Sequence, residues 1–181
     1  MTSACRFVCA LLFLLVATPS IANASGPLRD GLRSRIRTTD ARLRRLLDHG
    51  LRLSPTFRAL VQRLLESDVV VYLWCDGVHE RVTDGRLTFV SAAGGLRYVV
   101  VRLLPLASAQ RQIAIMAHEL RHAVEIADAP DVVDQESLAR EYQRIGYSNS
   151  TPLSSKIAYD SSAAIAAGIA VLRELTDGDE Y

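Results

Sequence analysis

The hydrophobic period of this chain changes twice, and those changes fix the order of its elements. Leu43, Leu46, Leu47 and Leu51, then Leu60, Val61, Leu64 and Leu65, recur at spacings of three and four. That spacing predicts two amphipathic helices. Thr38-Thr39-Asp40 offers the first a cap and Gly50 an end, while Ser54-Pro55 opens the second with a cap and a first-position proline. The pattern then turns β-like. Val69 to Trp74, Leu87 to Ser91 and Leu96 to Leu104 are short runs rich in β-branched and aromatic residues, and Asp76-Gly77, Asp84-Gly85 and Gly94-Gly95 mark turns. From Ser108 the helical period returns. One long helix should run to about Asp128, where Ala129-Pro130 stops it. A further helix should run from about Asp134 to Gly146, then a polar loop from Tyr147 to Ser155, then a last helix from near Asp160 to Leu175. The order predicts an α+β fold: two N-terminal helices, a small antiparallel three-stranded sheet, the long helix, and two more.

The N-terminus carries an export pattern. Arg6 is a short positive region, Phe7 to Ala17 is apolar, and Ala22-Asn23-Ala24 is a small-x-small site that predicts cleavage before Ser25. Eleven apolar residues are too few for a stable spanning helix, so a membrane association would need this segment to stay uncleaved. The organisation expected is a signal peptide over 1–24, a leader over 25–37, one domain over 38–176 and an acidic tail over 177–181, in a secreted or periplasmic protein.

Charge excludes a nucleic-acid partner. The chain has 21 basic and 20 acidic residues, and a nucleic-acid binder needs a basic field. The local exception is residues 29–52, whose eight arginines face only Asp30, Asp40 and Asp48; on amphipathic helices such runs usually form a solvated face. Beyond the signal segment only Cys75 remains, which forbids an internal disulfide and reads as a buried thiol.

The chemistry is concentrated in His118-Glu119-Leu120-Arg121-His122. Residues four apart on a helix share a face, so both imidazoles can reach one tetrahedral ion at roughly 2.0–2.1 Å. Glu119 lies about 100° round the helix, misaligned for ligation but able to approach water at the metal as a general base. On the same wheel Ile113, Met116, Ala117, Leu120, Ala123, Val124 and Ala127 form a stripe opposite the histidines. Glu125 shares the histidine face one turn on, which suits it to holding an imidazole; an i, i+4 pair with Arg121 is the other reading. A solvated face is the competing reading of the same wheel, and the motif's place on a helix that follows a sheet favours the zinc site.

The segment Ile115 to Val124 resembles the active-site helix of the zincin metallopeptidases, with their His-Glu-x-x-His motif. That resemblance implies one catalytic zinc, a sheet preceding the motif helix, His118 and His122 as ligands, Glu119 as base, and a peptide or protein substrate. The charged Arg121 departs from stricter forms of the motif. The chain is also similar to small bacterial proteins with a His-Glu-Leu-x-His-Ala helix and a later aromatic-acid-Ser/Thr-x-Ala-Ala helix, here Tyr159-Asp160-Ser161-Ser162-Ala163-Ala164.

No histidine follows His122, so a third ligand must be a carboxylate or be missing. Asp160 leads the candidates, followed by Glu141, Glu136 and Asp134; Asp160 and Glu141 could also be an ordinary cap and a solvated helix residue. Tyr142, Tyr147 and Tyr159 are possible oxyanion donors. His49 and His79 read as surface residues. Three functions compete: a zinc-dependent peptidase or other amide hydrolase, a non-catalytic exported binding module that retains the helix, and a structural zinc protein. A structural site prefers four ligands, usually with cysteine, which disfavours the last. Glu119 favours the first, because a dead site has no use for a carboxylate beside its first ligand.

Overall fold

The computed structural model describes residues 34–75, 84–148 and 159–177. The predicted signal peptide, most of the leader, His79 and the end of the acidic tail lie outside them. In chain order the elements are β1 (Ile36–Arg37), α1 (Ala41–Leu53), α2 (Pro55–Leu65), β2 (Val69–Cys75), β3 (Gly85–Ala93), β4 (Leu96–Leu103), α3 (Ala109–Asp128), α4 (Gln135–Ile145), β5 (Tyr147–Ser148), β6 (Tyr159–Asp160) and α5 (Ser162–Asp177).

The α+β class holds, but the expected three-stranded antiparallel sheet does not. The sheet has four strands in the order β1-β2-β4-β3 and is mixed. β1 runs parallel to β2, β2 parallel to β4, and only β3 and β4 form an antiparallel hairpin, closed by Gly94 and Gly95 with φ of 60° and 74°. The reason is written in the strands themselves. Val69, Val70, Val71 and Leu73 are all buried, so β2 has apolar residues on both faces and suits the sheet interior. β3 is largely exposed and suits an edge. The last residues of the segment read as a leader are β1, with Ile36 in register with Val71.

The helix starts follow local chemistry. Asp40 accepts the amides of Arg42 and Leu43, Ser54 accepts that of Phe57, Ser108 that of Arg111, and Asp134 forms a capping box with Ser137. α1 passes through Gly50 and ends at Leu53 rather than near the glycine. Gly50 is there for contact: a Cβ would sit 3.0 Å from Ile113 Cγ2 and 3.0 Å from Phe57 Cδ1.

The core lies between the sheet and the helices, built from Val71, Leu73, Val99, Val101 and Leu103 below and Ile113, Met116, Ala117, Leu120 and Val124 above. This is the face of α3 that the sequence assigns to the interior. Two polar ties anchor the layers. Arg97, on β4, is 5% exposed and donates to the carbonyls of Ile126 (2.6 Å), Ala129 (2.7 Å) and Val132 (3.3 Å), and to both oxygens of Asp68. It thereby caps the C-terminus of α3 with a positive charge. Glu174 of α5 accepts from Ser54 Oγ, the Thr56 amide and Thr56 Oγ1 at the start of α2.

α5 packs along α3 through small residues. Ala164, Ala167 and Val171 are buried, and at Gly168 a Cβ would lie 3.2 Å from the Ala114 carbonyl and 3.5 Å from His118 Cβ. The expected polar loop starts instead as a strand, with Tyr147 in register with Asp160 and Ser148 with Tyr159. The last helix begins at Ser162, and its cap is Ser161, whose Oγ accepts the Ala164 amide at 3.0 Å. Asp160 is therefore released from the capping role that the sequence also allowed it.

Candidate metal centre

The histidine face of α3 is covered, not solvated. His122 is 5% exposed, and the ring of Tyr142 from α4 stands edge-on to it at 5.2 Å between centroids. α5 covers His118. β6 brings Asp160 over both rings, helped by Gly146, where a Cβ would meet the Asp160 carbonyl at 2.5 Å.

Three ligand atoms converge. His118 Nε2 and His122 Nε2 are 3.2 Å apart, and Asp160 Oδ1 lies 3.3 Å from the first and 3.5 Å from the second. A tetrahedral ion with bonds of about 2.0–2.1 Å requires its ligand atoms to be about 3.3–3.4 Å apart. The triangle is thus close to one face of such a tetrahedron, and the His118-His122-Asp160 group could hold a metal ion.

The other ring nitrogens are committed elsewhere, as metal-binding imidazoles require. His122 Nδ1 is 2.9 Å from Glu125 Oε2, so this nitrogen carries the proton and Nε2 faces the triangle. Glu125 is itself fixed, accepting from Ser161 Oγ (2.6 Å) and Tyr142 Oη (3.3 Å). Arg121 Nε stands 3.7 Å from Glu125, so both sequence readings of that carboxylate are realised together. His118 hydrogen-bonds the backbone of Ala164.

Electrostatics follow from the same packing. Burial and the neighbouring His122 charge lower the His118 pKa. For His122 burial again disfavours the charge, but hydrogen bonds to Asp160 and Glu125 outweigh it and raise the group to about 9. Asp160 and Glu125 resist burial through their imidazole bonds and are held below the usual carboxylate range. Glu119 differs. It is 5% exposed, and burial pushes its carboxyl up to about 7 despite the opposing pull of His122. Its wall is β3: a Cβ on Gly85 would lie 2.7 Å from Glu119 Oε1 and 2.7 Å from Ile115 Cγ2.

No family model, curated protein or solved structure matches this chain. The site is defined by its own geometry.

That geometry separates the carboxylates offered as third ligand. Asp160 joins the histidines. Glu141 pairs with Arg144 at 2.5 Å and lines a cavity of about 250 Å³ together with Arg121, Glu125 and Ser161. Glu136 is exposed and paired with Arg140 at 2.7 Å, and Asp134 caps α4. Tyr142 points its hydroxyl at Glu125, which makes it a support for His122 rather than an oxyanion donor. Tyr147 and Tyr159 are described in their backbones only. His49 stands 3.4 Å from Arg52 on α1 and is not part of the converging ligand group. Sequence reasoning missed Ser161, Gly85 and Gly168. Ser161 lies within the acid-Ser motif, but no local rule names its partner; Gly85 has the pattern of a turn, and Gly168 lies in an alanine-rich run with no signal of its own.

Proposed function

We propose that this chain is an exported zinc-dependent peptidase, with His118, His122 and Asp160 as ligands and Glu119 as general base. The observation that carries the reading is the triangle of ligand atoms at 3.2, 3.3 and 3.5 Å, with the buried Glu119 carboxyl close enough to feel the His122 and Asp160 charges. Two imidazoles and one carboxylate suit zinc and leave a position open for chemistry. What the ion supplies when bound is Lewis acidity toward a carbonyl oxygen and toward water. Glu119 takes a proton from the attacking water at a carboxylate oxygen and passes it to the departing amine nitrogen, so the glutamate is regenerated. Glu125, Ser161 and Tyr142 hold the His122 ring through its Nδ1 proton, and the Gly85 backbone keeps water away from one side of Glu119.

Metal content per chain tests the ligand set on mature protein purified without a histidine tag. We expect about one zinc in the wild type and in Glu141→Ala, and none retained through dialysis in His118→Ala or Asp160→Ala. Zinc retained by Asp160→Ala but lost by Glu141→Ala would move the third ligand to the cavity. No zinc in the wild type after incubation with the ion would sink the enzyme and leave a binding module.

Glu125→Ala should weaken zinc binding by about 10–100-fold in a competition titration with a chromogenic chelator, because His122 loses its anchor. An unchanged affinity would mean that packing against Tyr142 is enough.

The pH dependence has a definite sign. Ion-free protein holds a second proton on His122, at Nε2, up to about pH 9, and zinc uptake must displace it. Affinity should therefore rise about tenfold per unit between pH 7 and 9. In the ion-free protein the stability contributed by the raised pKa is complete below the ordinary value of 6.5 and is lost as pH rises through 9. Melting temperatures with and without zinc should thus diverge between pH 6.5 and 9. A gap that narrows over this range would show that His122 is not the site of proton release.

A further inference from the structure

On the sheet face opposite the core, Trp74, Arg102 and Arg86 form one row across β2, β4 and β3: Trp74 is in register with Arg102, and Arg102 with Arg86. Their neighbours Leu73, Cys75, Val101, Leu103 and Leu87 belong to the core or pack against it, so alternation turns these three outward. Trp74 is 58% exposed, and both arginines are exposed. Neither arginine has a hydrogen-bond or ion-pair partner among the described residues, although the Arg86 charge acts through space on Glu119, whereas Arg37, Arg97 and Arg111 all have one. No carboxylate lies among the outward residues of these strands, and Asp84, just before β3, is taken by Arg111 at 2.9 Å. Like charges directly opposite on an antiparallel pair are destabilising. An anion placed between them would remove that cost.

We propose that this row docks an acidic segment of a polypeptide substrate, a carboxylate lying between the two guanidinium groups and its apolar neighbour against Trp74. The inference rests on the peptidase reading for the word substrate, not for the binding itself. Two arguments select a peptide. The chain is near neutral, with 21 basic and 20 acidic residues, and two unpaired arginines are too few to hold a polyanion or an anionic bilayer, where each contributes about 1 kcal/mol. They are enough for a carboxylate, which accepts charge-assisted hydrogen bonds from both. Position is the second argument. Arg86 directly follows Gly85, whose backbone abuts Glu119, and β3 ends the strand order. A chain crossing that edge would link the row to the site.

Trp74 is the only tryptophan, so its fluorescence reports on the row alone. The test uses the full chain carrying Glu119→Gln, titrated with an N-acetylated decapeptide of alternating Glu and Ala and with its Gln counterpart. We expect a saturable change with the Glu peptide, weakened by salt, and binding about tenfold or more weaker for the Gln peptide and for the Arg86→Gln/Arg102→Gln variant, its fold checked by circular dichroism. Equal response to both peptides, no response, or a response surviving in the double variant would overturn the proposal. So would a response confined to phosphatidylglycerol vesicles or to oligothymidylate. Because binding is read without turnover, its failure is distinct from a failure of zinc binding or hydrolysis.

Discussion

Glu119→Gln should keep about one zinc per chain and lose about 10²–10⁴-fold in the rate of peptide-bond hydrolysis, the usual worth of a positioned general base. Glutamine has the shape of glutamate, so the packing against Gly85 and the hydrogen bond from the Leu87 backbone survive, and the three ligand atoms at 3.2–3.5 Å are untouched. What is lost is the basic oxygen. In the native chain burial raises that carboxyl to about 7, where a group can both accept and return a proton near neutral pH. Zinc content by atomic absorption and cleavage of an unfolded protein, measured on the same preparation, decide the matter. Unchanged cleavage would remove Glu119 from the mechanism; lost zinc would make it a structural support instead.

The largest effect on stability is expected at Arg97, far from any chemistry. Arg97→Ala removes the donor to the Ile126, Ala129 and Val132 carbonyls and leaves a space at the end of α3. The Ile126 and Ala129 carbonyls keep the amides of Ala129 and Val132, so what is lost is the charge-assisted bonding of the guanidinium and its charge at the end of α3, about 2–4 kcal/mol in all. At about 2–4 °C per kcal/mol for a domain of this size, the melting temperature should fall by about 10 °C. Asp68, half-exposed, can turn to water and adds little. Zinc content should not change, because the ligands lie in the middle of α3 and on β6. A melting temperature within a degree of the wild type would show that water replaces the guanidinium there.

How much of the site was readable before folding depended on sequence distance. His118, Glu119, His122 and Glu125 lie within eight residues on one helix, and helical geometry alone places them. Asp160 lies thirty-eight residues beyond His122, and Glu141 only nineteen; no local rule chooses between them. The choice was made by Gly146, Ser161 and Gly168. Gly146 lets the Asp160 backbone pass close to α4, Ser161 takes over the cap, and Gly168 lets α5 settle against His118. None of these announces its role in a periodicity, because each acts through a contact with another element.

The sheet divides in the same way. Strand positions followed from period-two alternation and turn glycines, which are local properties of the backbone. Strand order did not. A meander of β2, β3 and β4 was the simplest path, but it would have put the half-polar β3 in the middle and the doubly apolar β2 at an edge. By itself the sequence determined the helices, the three longer strands, the shared face of the two imidazoles and the glutamate beside them, because these depend on dihedral geometry over a few residues. Only the tertiary structure decided the parallel pairing of β2 with β4, the burial of the histidine face and the arrival of Asp160, because burying apolar surface on both faces of β2 and small residues along α5 is a condition on the whole molecule.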